Sequence, residues 1–397
     1  MRRIVPAVMM FCVLWTSVTA EVEIPPGFEI VDVIVTEDQL NWPVLNDCGQ
    51  IAYPHLLDND PWMEEIFLYD NGQFQRITHN EVLDTWVDLN DRGEMVWGRG
   101  IDDVAEPRQV ILYRDGVETM LQEDPIWLTG LSLNNRDEAV WSRMDYRRCP
   151  VPSWIYRFDG VEIEELVFDP LLINQEPRIN DQGWITWMHT DFCESSPWAG
   201  TIQLYREGQI IDLPSSETQV QGSKINNRGQ VVWDAQKDLE LWEDGNTQQF
   251  VDTDDSSVPN IGDTGDVYFS RAAPENRSRN AWLYASLEEP PRFYRLSDDA
   301  RRVSRGSVNA WGEVAWLWYR DPVHGDLAGG IVLMRRIRTG DSNFDGSIDK
   351  RDHKRFVKNI TGPIRTDGLC DARFLDTDYD GDLDLADFAA FQNAFAP

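Results

Sequence analysis

"LNDRGEMVW", residues 89–97, is a polar turn running into a short apolar strand. Asn, Asp and Gly tolerate the backbone angles that tight turns need. The phrase returns as "LNDCGQIAY" at 45, "LNNRDEAVW" at 133, "INDQGWITW" at 179 and "INNRGQVVW" at 225, with looser copies "IGDTGDVYF" at 261 and "VNAWGEVAW" at 308. Its first Asn, or the equivalent residue, falls at Asn46, Asn90, Asn134, Asn180, Asn226, Gly262 and Asn309. Most copies lie 44 to 47 residues apart, and one unit is shorter. That period matches a four-stranded propeller blade.

A second phrase recurs within the units: "IFLYDNG" at 66, "VILYRDG" at 110, "WIYRFDG" at 154, "IQLYREG" at 202 and "LELWEDG" at 239. Asn-Gly or Asp-Gly between apolar runs is the strongest short hairpin signal. One unit therefore reads as a strand such as "TWVDL", the "NDRG" turn, the strand "EMVWGR", a variable loop, the strand "VILYR", a "DG" turn and the strand "VETML". The seventh unit ends after "GIVLMRR" without a fourth strand, whereas the segment before the first copy aligns with the fourth strand of the other units. Residues 28–34 are thus expected to complete the last blade and close the ring, which removes open sheet edges. The fold class expected is an all-β seven-bladed β-propeller over residues 21–336, followed by a small helical module over 340–397.

The repeat resembles the TolB-type, WD-like propeller repeat of exported bacterial proteins, over residues 25–336. That family's turn usually reads Ser-Pro-Asp-Gly; here Asn-Asp-x-Gly stands in its place.

The 397 residues include 69 acidic and 36 basic side chains, a net charge of −33 that disfavours nucleic acid and anionic membrane surfaces. Residues 1–20 carry Arg2 and Arg3, the apolar run "IVPAVMMFCVLW" and the small-residue ending "SVTA". They read as a signal peptide cut after Ala20, implying a secreted or periplasmic, monomeric protein with no membrane span. Cys48, Cys149, Cys193 and Cys370 remain, an even count that permits disulfides in an exported chain. Cys149 and Cys193 fall in equivalent loops of adjacent units, so a disulfide between them is expected, with free or metal-bound thiols as alternatives.

The turns after the first and third strands are tight, so a ligand site is expected among the variable loops of the opposite face. Trp62, Tyr146, Trp198 and Tyr319 there suit stacking on sugars, and Arg147 and Arg148 suit gripping a carboxylate; mutual packing of the aromatics is the alternative. His55, His189 and His324 also fall in that region, a metal cluster in principle. No Gly-x-Ser-x-Gly elbow, His-Glu-x-x-His helix or Walker loop occurs. No catalytic residue is assigned.

After "RRIRTG" the composition changes. "DSNFDGSIDKRD" (341–352) and "DTDYDGDLDLAD" (376–387) place oxygen ligands at loop positions 1, 3, 5, 9 and 12 with Gly at 6, the spacing that wraps one Ca2+. The side-chain ligands of the first loop would be Asp341, Asn343, Asp345, Asp349 and Asp352, with Ser347 giving its carbonyl. Those of the second would be Asp376, Asp378, Asp380, Asp384 and Asp387, with Asp382 giving its carbonyl. Two Ca2+ ions are expected. Each loop opens a helix, and Leu385, Phe388, Phe391 and Phe395 in one, with Phe356, Val357 and Ile360 in the other, are expected to pack together.

This tail resembles a type I dockerin over residues 340–397, with "TGPIRTDGLC" inserted between the loops and unlike pairs, Lys350–Arg351 and Leu385–Ala386, at the positions that read a partner. The resemblance implies calcium-dependent docking to a cohesin-like protein, often in polysaccharide-degrading systems. The functional expectation is an exported, non-catalytic binding protein. Its propeller engages a glycan or protein and its dockerin-like EF-hand pair tethers it. The alternative is a carbohydrate-active enzyme, a polysaccharide lyase or glycoside hydrolase, on the same scaffold.

Overall fold

The computed structural model describes residues 22–397 except 37, 58–62, 81, 101–106, 192, 194–198, 237, 251–255, 273–278, 287, 289, 299–301, 320–328, 338–339, 342–347, 360–369, 379–382 and 395–397. The expected signal peptide lies outside the described residues. Among the described residues, 28 strands form seven sheets of four antiparallel strands. The innermost strands of blades one to seven are Val44–Leu45, Asp84–Leu89, Trp127–Leu133, Ile173–Ile179, Val220–Ile225, Ser256–Ile261 and Arg302–Val308.

Blade seven is closed as the sequence predicts. Phe28–Thr36 pairs antiparallel with Gly329–Arg336, from Phe28 opposite Arg336 to Thr36 opposite Gly329, with one irregularity between Asp32 and Ile34. The ring is therefore sealed by hydrogen bonds between the two ends of the propeller segment, and no blade is left with three strands.

The hairpins follow the turn chemistry. Asn71 and Gly72 have φ of 45° and 80°, and Asp244 and Gly245 have 47° and 90°. Two successive left-handed residues make the turn whose twist matches the strands it joins. Blade three departs from this: Phe158 pairs with Ile163, and the Asp159 carboxylate accepts the N–H groups of Val161 and Glu162 at 2.9 and 2.8 Å, giving a wider turn.

The last residue of the repeated phrase builds the core. Trp97, Trp141, Trp187, Trp233 and Trp316, with Tyr53 and Phe269 in the other two blades, are almost wholly buried. Each sits in the second strand and packs between neighbouring blades. Truncating one such aromatic to Ala would cost about 3–5 kcal/mol.

The polar half of the phrase does more than turn the chain. In blade two, Asn90 Oδ1 accepts the N–H groups of Arg92 and Glu94 at 3.0 Å each, and its Nδ2 donates to the carbonyl oxygen of Asn134 in blade three at 3.2 Å. The same bridge runs from Asn46 to Asn90, Asn134 to Asn180, Asn180 to Asn226, Asn226 to Gly262 and Asn309 back to Asn46. The next residue adds a second ring. The N–H of Asp47 donates to Asp91, Asp91 to Asn135, Asn135 to Asp181, Asp181 to Asn227, Asn227 to Asp263, and Ala310 to Asp47, all at 2.7 to 2.8 Å. The sequence reading took this phrase for turn chemistry alone. It is also the seam between blades.

Beyond the propeller, α1 (Lys350–Asn359) and α2 (Leu385–Ala394) flank a short 3-10 helix, Cys370–Phe374. Phe356, Leu375, Leu383 and Phe391 form their shared core, with Ile348 and Phe388 at its edge. Leu385 is 74% exposed and Val357 is also exposed, against expectation, while Ile360 and Phe395 lie outside the described residues. No helix among the described residues is long and apolar enough to cross a membrane.

Candidate functional site

The channel between the innermost strands is layered. At the tight-turn mouth stand the Asn and Asp rings. Next comes an apolar collar made by the last residue of each inner strand: Leu45, Leu89, Leu133, Ile179, Ile225, Ile261 and Val308. On the variable-loop side of this collar lies a chamber of about 310 Å³.

The chamber exists because the inner strands bulge. Their pairing with the second strand shifts register between Thr85 and Asp88, Thr129 and Ser132, Gln175 and Arg178, Gln221 and Lys224, Ser257 and Asn260, and Val303 and Gly306. In five neighbouring blades the bulge carries a left-handed residue: Trp86, Gly130, Glu176, Gly222 and Val258, with φ of 56°, 67°, 52°, 59° and 53°. A β-branched Val in that region is strained, and such strain costs of order 1–3 kcal/mol. Gly130 is required by space as well: a Cβ there would stand 2.6 Å from the Glu176 Cα.

The bulges aim charged side chains inward. Arg178, Lys224 and Arg305 face Asp88 and Glu176 across the chamber, so cations exceed carboxylates in the middle of a chain whose net charge is −33. Asp88 Oδ2 accepts the N–H of Leu133 at 2.9 Å. Arg178 Nη1 donates to the carbonyls of Leu131 and Pro177 at 3.0 and 3.1 Å. The Arg305 guanidinium lies 3.7 Å from the centre of the Trp42 ring and 4.0 Å from Glu176 Oε1. Among the described residues the Lys224 ammonium has no hydrogen bond and no ion pair within 4 Å. Burial, then Arg178 and Arg305, drives Lys224 well below the ordinary lysine range. Burial would raise Glu176, but Arg305, Arg178 and Lys224 outweigh it and hold the carboxyl below its usual range. Glu176 and Arg305 are each 31% exposed although deep in the molecule, because their open surface faces the chamber.

The residues singled out on the variable loops form no such cluster. Tyr146 packs on Trp127 with ring centres 5.1 Å apart, and burial pushes its hydroxyl up to about 12. Arg147 and Arg148 both pair with Asp145, at 2.7 and 3.2 Å. Tyr319 ends a second strand and packs beside Leu40 and Leu317. Trp62, Trp198 and His324 lie outside the described residues. His55 of blade one meets Asp38, and His189 of blade four meets Asn174 of its own blade and Asp169 of blade three, so these two are not brought together. Sequence reading missed Glu176, Arg178, Lys224 and Arg305. Their signal was polar residues interrupting inner strands, as in "INQEPRI" and "VQGSKI".

The C-terminal module is fastened to the propeller beside the opposite mouth. Cys370 is bonded to Cys48 in the first tight turn, a pair that sequence spacing did not suggest, and Cys149 is bonded to Cys193 as expected. Arg373 lies against Gly49 and pairs with the buried Glu313 of blade seven. Phe374 meets Trp311 edge to face at 4.9 Å. In the second loop Asp376, Asp378 and Asp387 bring carboxylate oxygens within 4.8 Å of one another. Asp387 and Asp352 are fully buried and accept the N–H groups of Asp384 and Asp349 at 3.0 and 2.9 Å. Asp384 and Asp349 in turn cap α2 and α1, accepting from Ala386 and Arg351. Asp341 belongs to the first loop; Asn343, Asp345, Ser347, Asp380 and Asp382 lie outside the described residues.

No known family matches the sequence, and no curated protein does. Solved structures do. An acylaminoacyl peptidase from Pyrococcus horikoshii matches 75% of this chain and 51% of its own, at 12% identity and TM-score 0.55. The β-propeller domain of the Trilobed protease from Pyrococcus furiosus, described as having an open velcro topology, matches 76% of this chain and 96% of that one, at 13% identity and TM-score 0.53. TolB from Acinetobacter baumannii matches 62% of this chain and 63% of its own, at 12% identity and TM-score 0.44. The match spans about half of the acylaminoacyl peptidase and less than two thirds of TolB.

These matches correct the functional expectation. Two of these three structures belong to a peptidase and a protease, and none is described as part of a cohesin–dockerin system. The tail expected to tether the protein to a cohesin-like partner is bonded and ion-paired to the rim of its own propeller. The exported glycan- or protein-binding protein docked through a cohesin-like partner is therefore set aside. At this level of identity the likeness is one of fold, the β-propeller, here with seven blades and its ring closed by the N-terminal strand.

Proposed function

We propose that this chain is a peptidase-type propeller whose channel receives peptides. The observation that carries the reading is the chamber: a recess beyond the apolar collar, lined by charges of both signs and by Trp42 and Trp86. A peptide presents backbone dipoles, charged termini and apolar side chains, which is what mixed charge with aromatic surface suits. The role assigned to the chamber is reception of the peptide. Calorimetric titration of the full chain with short peptides of defined sequence tests this. Binding that weakens in an Arg178→Met/Lys224→Met double variant is expected. Absence of binding at millimolar peptide would overturn the reading.

For the C-terminal module we propose calcium binding, with Asp376, Asp378 and Asp387 as the core of one site. Their donors are hard oxygens crowded at a spacing that an ion of charge +2 relieves. The ion would brace a module already fixed to the rim, in a secreted protein whose two disulfides suit an oxidising compartment. Calcium titration of the chelator-treated protein is expected to show two ions, and one in Asp378→Ala. No binding at millimolar calcium would remove the metal from the account.

A further inference from the structure

The chamber's cations are not all explained by the fold. Lys224, Arg178 and Arg305 come from blades five, four and seven and converge on one space of about 310 Å³. Arg178 is aimed by the two carbonyls that hold its Nη1, and Arg305 is laid flat on Trp42. Asp88 is engaged with the backbone N–H groups of Leu89 and Leu133. That leaves Lys224, an enclosed ammonium without a hydrogen-bonding partner among the described residues. An enclosed charge without a partner is expensive to maintain and is the kind of group a ligand completes.

We propose that Lys224, Arg178 and Arg305 form a carboxylate subsite that takes the C-terminal carboxylate of a peptide entering from the variable-loop side. The inference rests on the peptide reading above. Charge count favours this ligand over a phosphate: once a bound carboxylate restores the Lys224 charge, three cations against Asp88 and Glu176 leave one positive charge, which a monoanion neutralises and a dianion would overshoot. Size agrees. A space of about 310 Å³ falls at the small end of ligand pockets, so the chamber suits a terminal residue rather than a folded domain. Burial's downward pull on Lys224 agrees too, because a carboxylate beside the amine would restore its charged form.

The test compares one peptide as free acid and as C-terminal amide, by calorimetry on the full chain. The acid is expected to bind about tenfold tighter or more, the scale of a charge-assisted hydrogen bond in an enclosed site. Lys224→Met should erase that preference by weakening the acid more than the amide, and Lys224→Arg should keep it. Unfolding midpoints of both variants separate lost recognition from lost folding. Equal binding of acid and amide to the wild type, or a preference that survives in Lys224→Met, would overturn the carboxylate subsite and leave the peptide channel standing. Failure of both forms to bind would overturn the peptide reading itself.

Discussion

The two ends of the channel are both polar, and they are polar in opposite ways. At the tight-turn mouth each Asn is used on both sides of its amide: the oxygen accepts from its own turn and the nitrogen donates to the next blade. At the bulge layer the polar groups are charged, change sign and kind from blade to blade even at matching positions, as Asp88, Arg178 and Lys224 do just before the collar residue, and include a Lys224 amine with no hydrogen bond among the described residues. A saturated hydrogen-bond ring stabilises, whereas an enclosed charge without a partner does not. Repetition and saturation therefore mark structure here, and irregularity with a surplus of charge marks the site.

The difference has measurable consequences at the ring. Asn134→Ala should have the largest effect. It removes the bond to the Asn180 carbonyl and strips an acceptor from the N–H groups of Arg136 and Glu138. The buried groups left unsatisfied should lower stability by about 2–4 kcal/mol in urea denaturation; a loss under about 1 kcal/mol would break the claim that the ring is a seam.

Gly262→Asn would sharpen it. The substitution restores the repeat's own residue, yet blades six and seven approach so closely that a Cβ would strike the carbonyl oxygen of Asn309 and stand 2.9 Å from a Val308 methyl. A loss of about 1–3 kcal/mol is expected despite the better match to the repeat.

Asp47→Asn should act in the other direction and be smallest. Burial, then the charge of Asp91, pushes Asp47 up to about 7 from 3.8. The fold favours its protonated form, so that contribution is fully present below about pH 4 and is lost as pH rises through about 7. Asn keeps the acceptor used by the Ala310 N–H and carries no charge. The variant should gain of order 1 kcal/mol over wild type at pH 8, with the difference shrinking toward pH 4. A difference that grows on acidification would contradict the sign.

Much of the fold was legible because the repeat states it locally. The period, the Asn-Gly and Asp-Gly hairpins and the unmatched strands at the two ends of the propeller segment each follow from residues close in sequence. The seam was half legible: Asn and Asp stand at both positions in most copies, but their reach to the next blade is a contact across about one whole period. The chamber was hidden for the same reason, since Arg178, Lys224 and Arg305 meet only once blades four, five and seven are set around one axis. The fastening of the tail rests on Cys48 and Cys370, 322 residues apart, and on Arg373 reaching Glu313. The two helices of the tail were legible, but the exposure of Leu385 depended on how α2 meets its neighbours, which helical periodicity does not determine.

The central claim is that the ring holds the protein together while the chamber serves a ligand. The most direct test is the urea unfolding midpoint of Lys224→Met, free of peptide. Removing an enclosed charge without a partner should leave the midpoint unchanged or raise it. A fall as large as that of Asn134→Ala would mean that the chamber's charges are structural and that the two ends of the channel do not differ in kind.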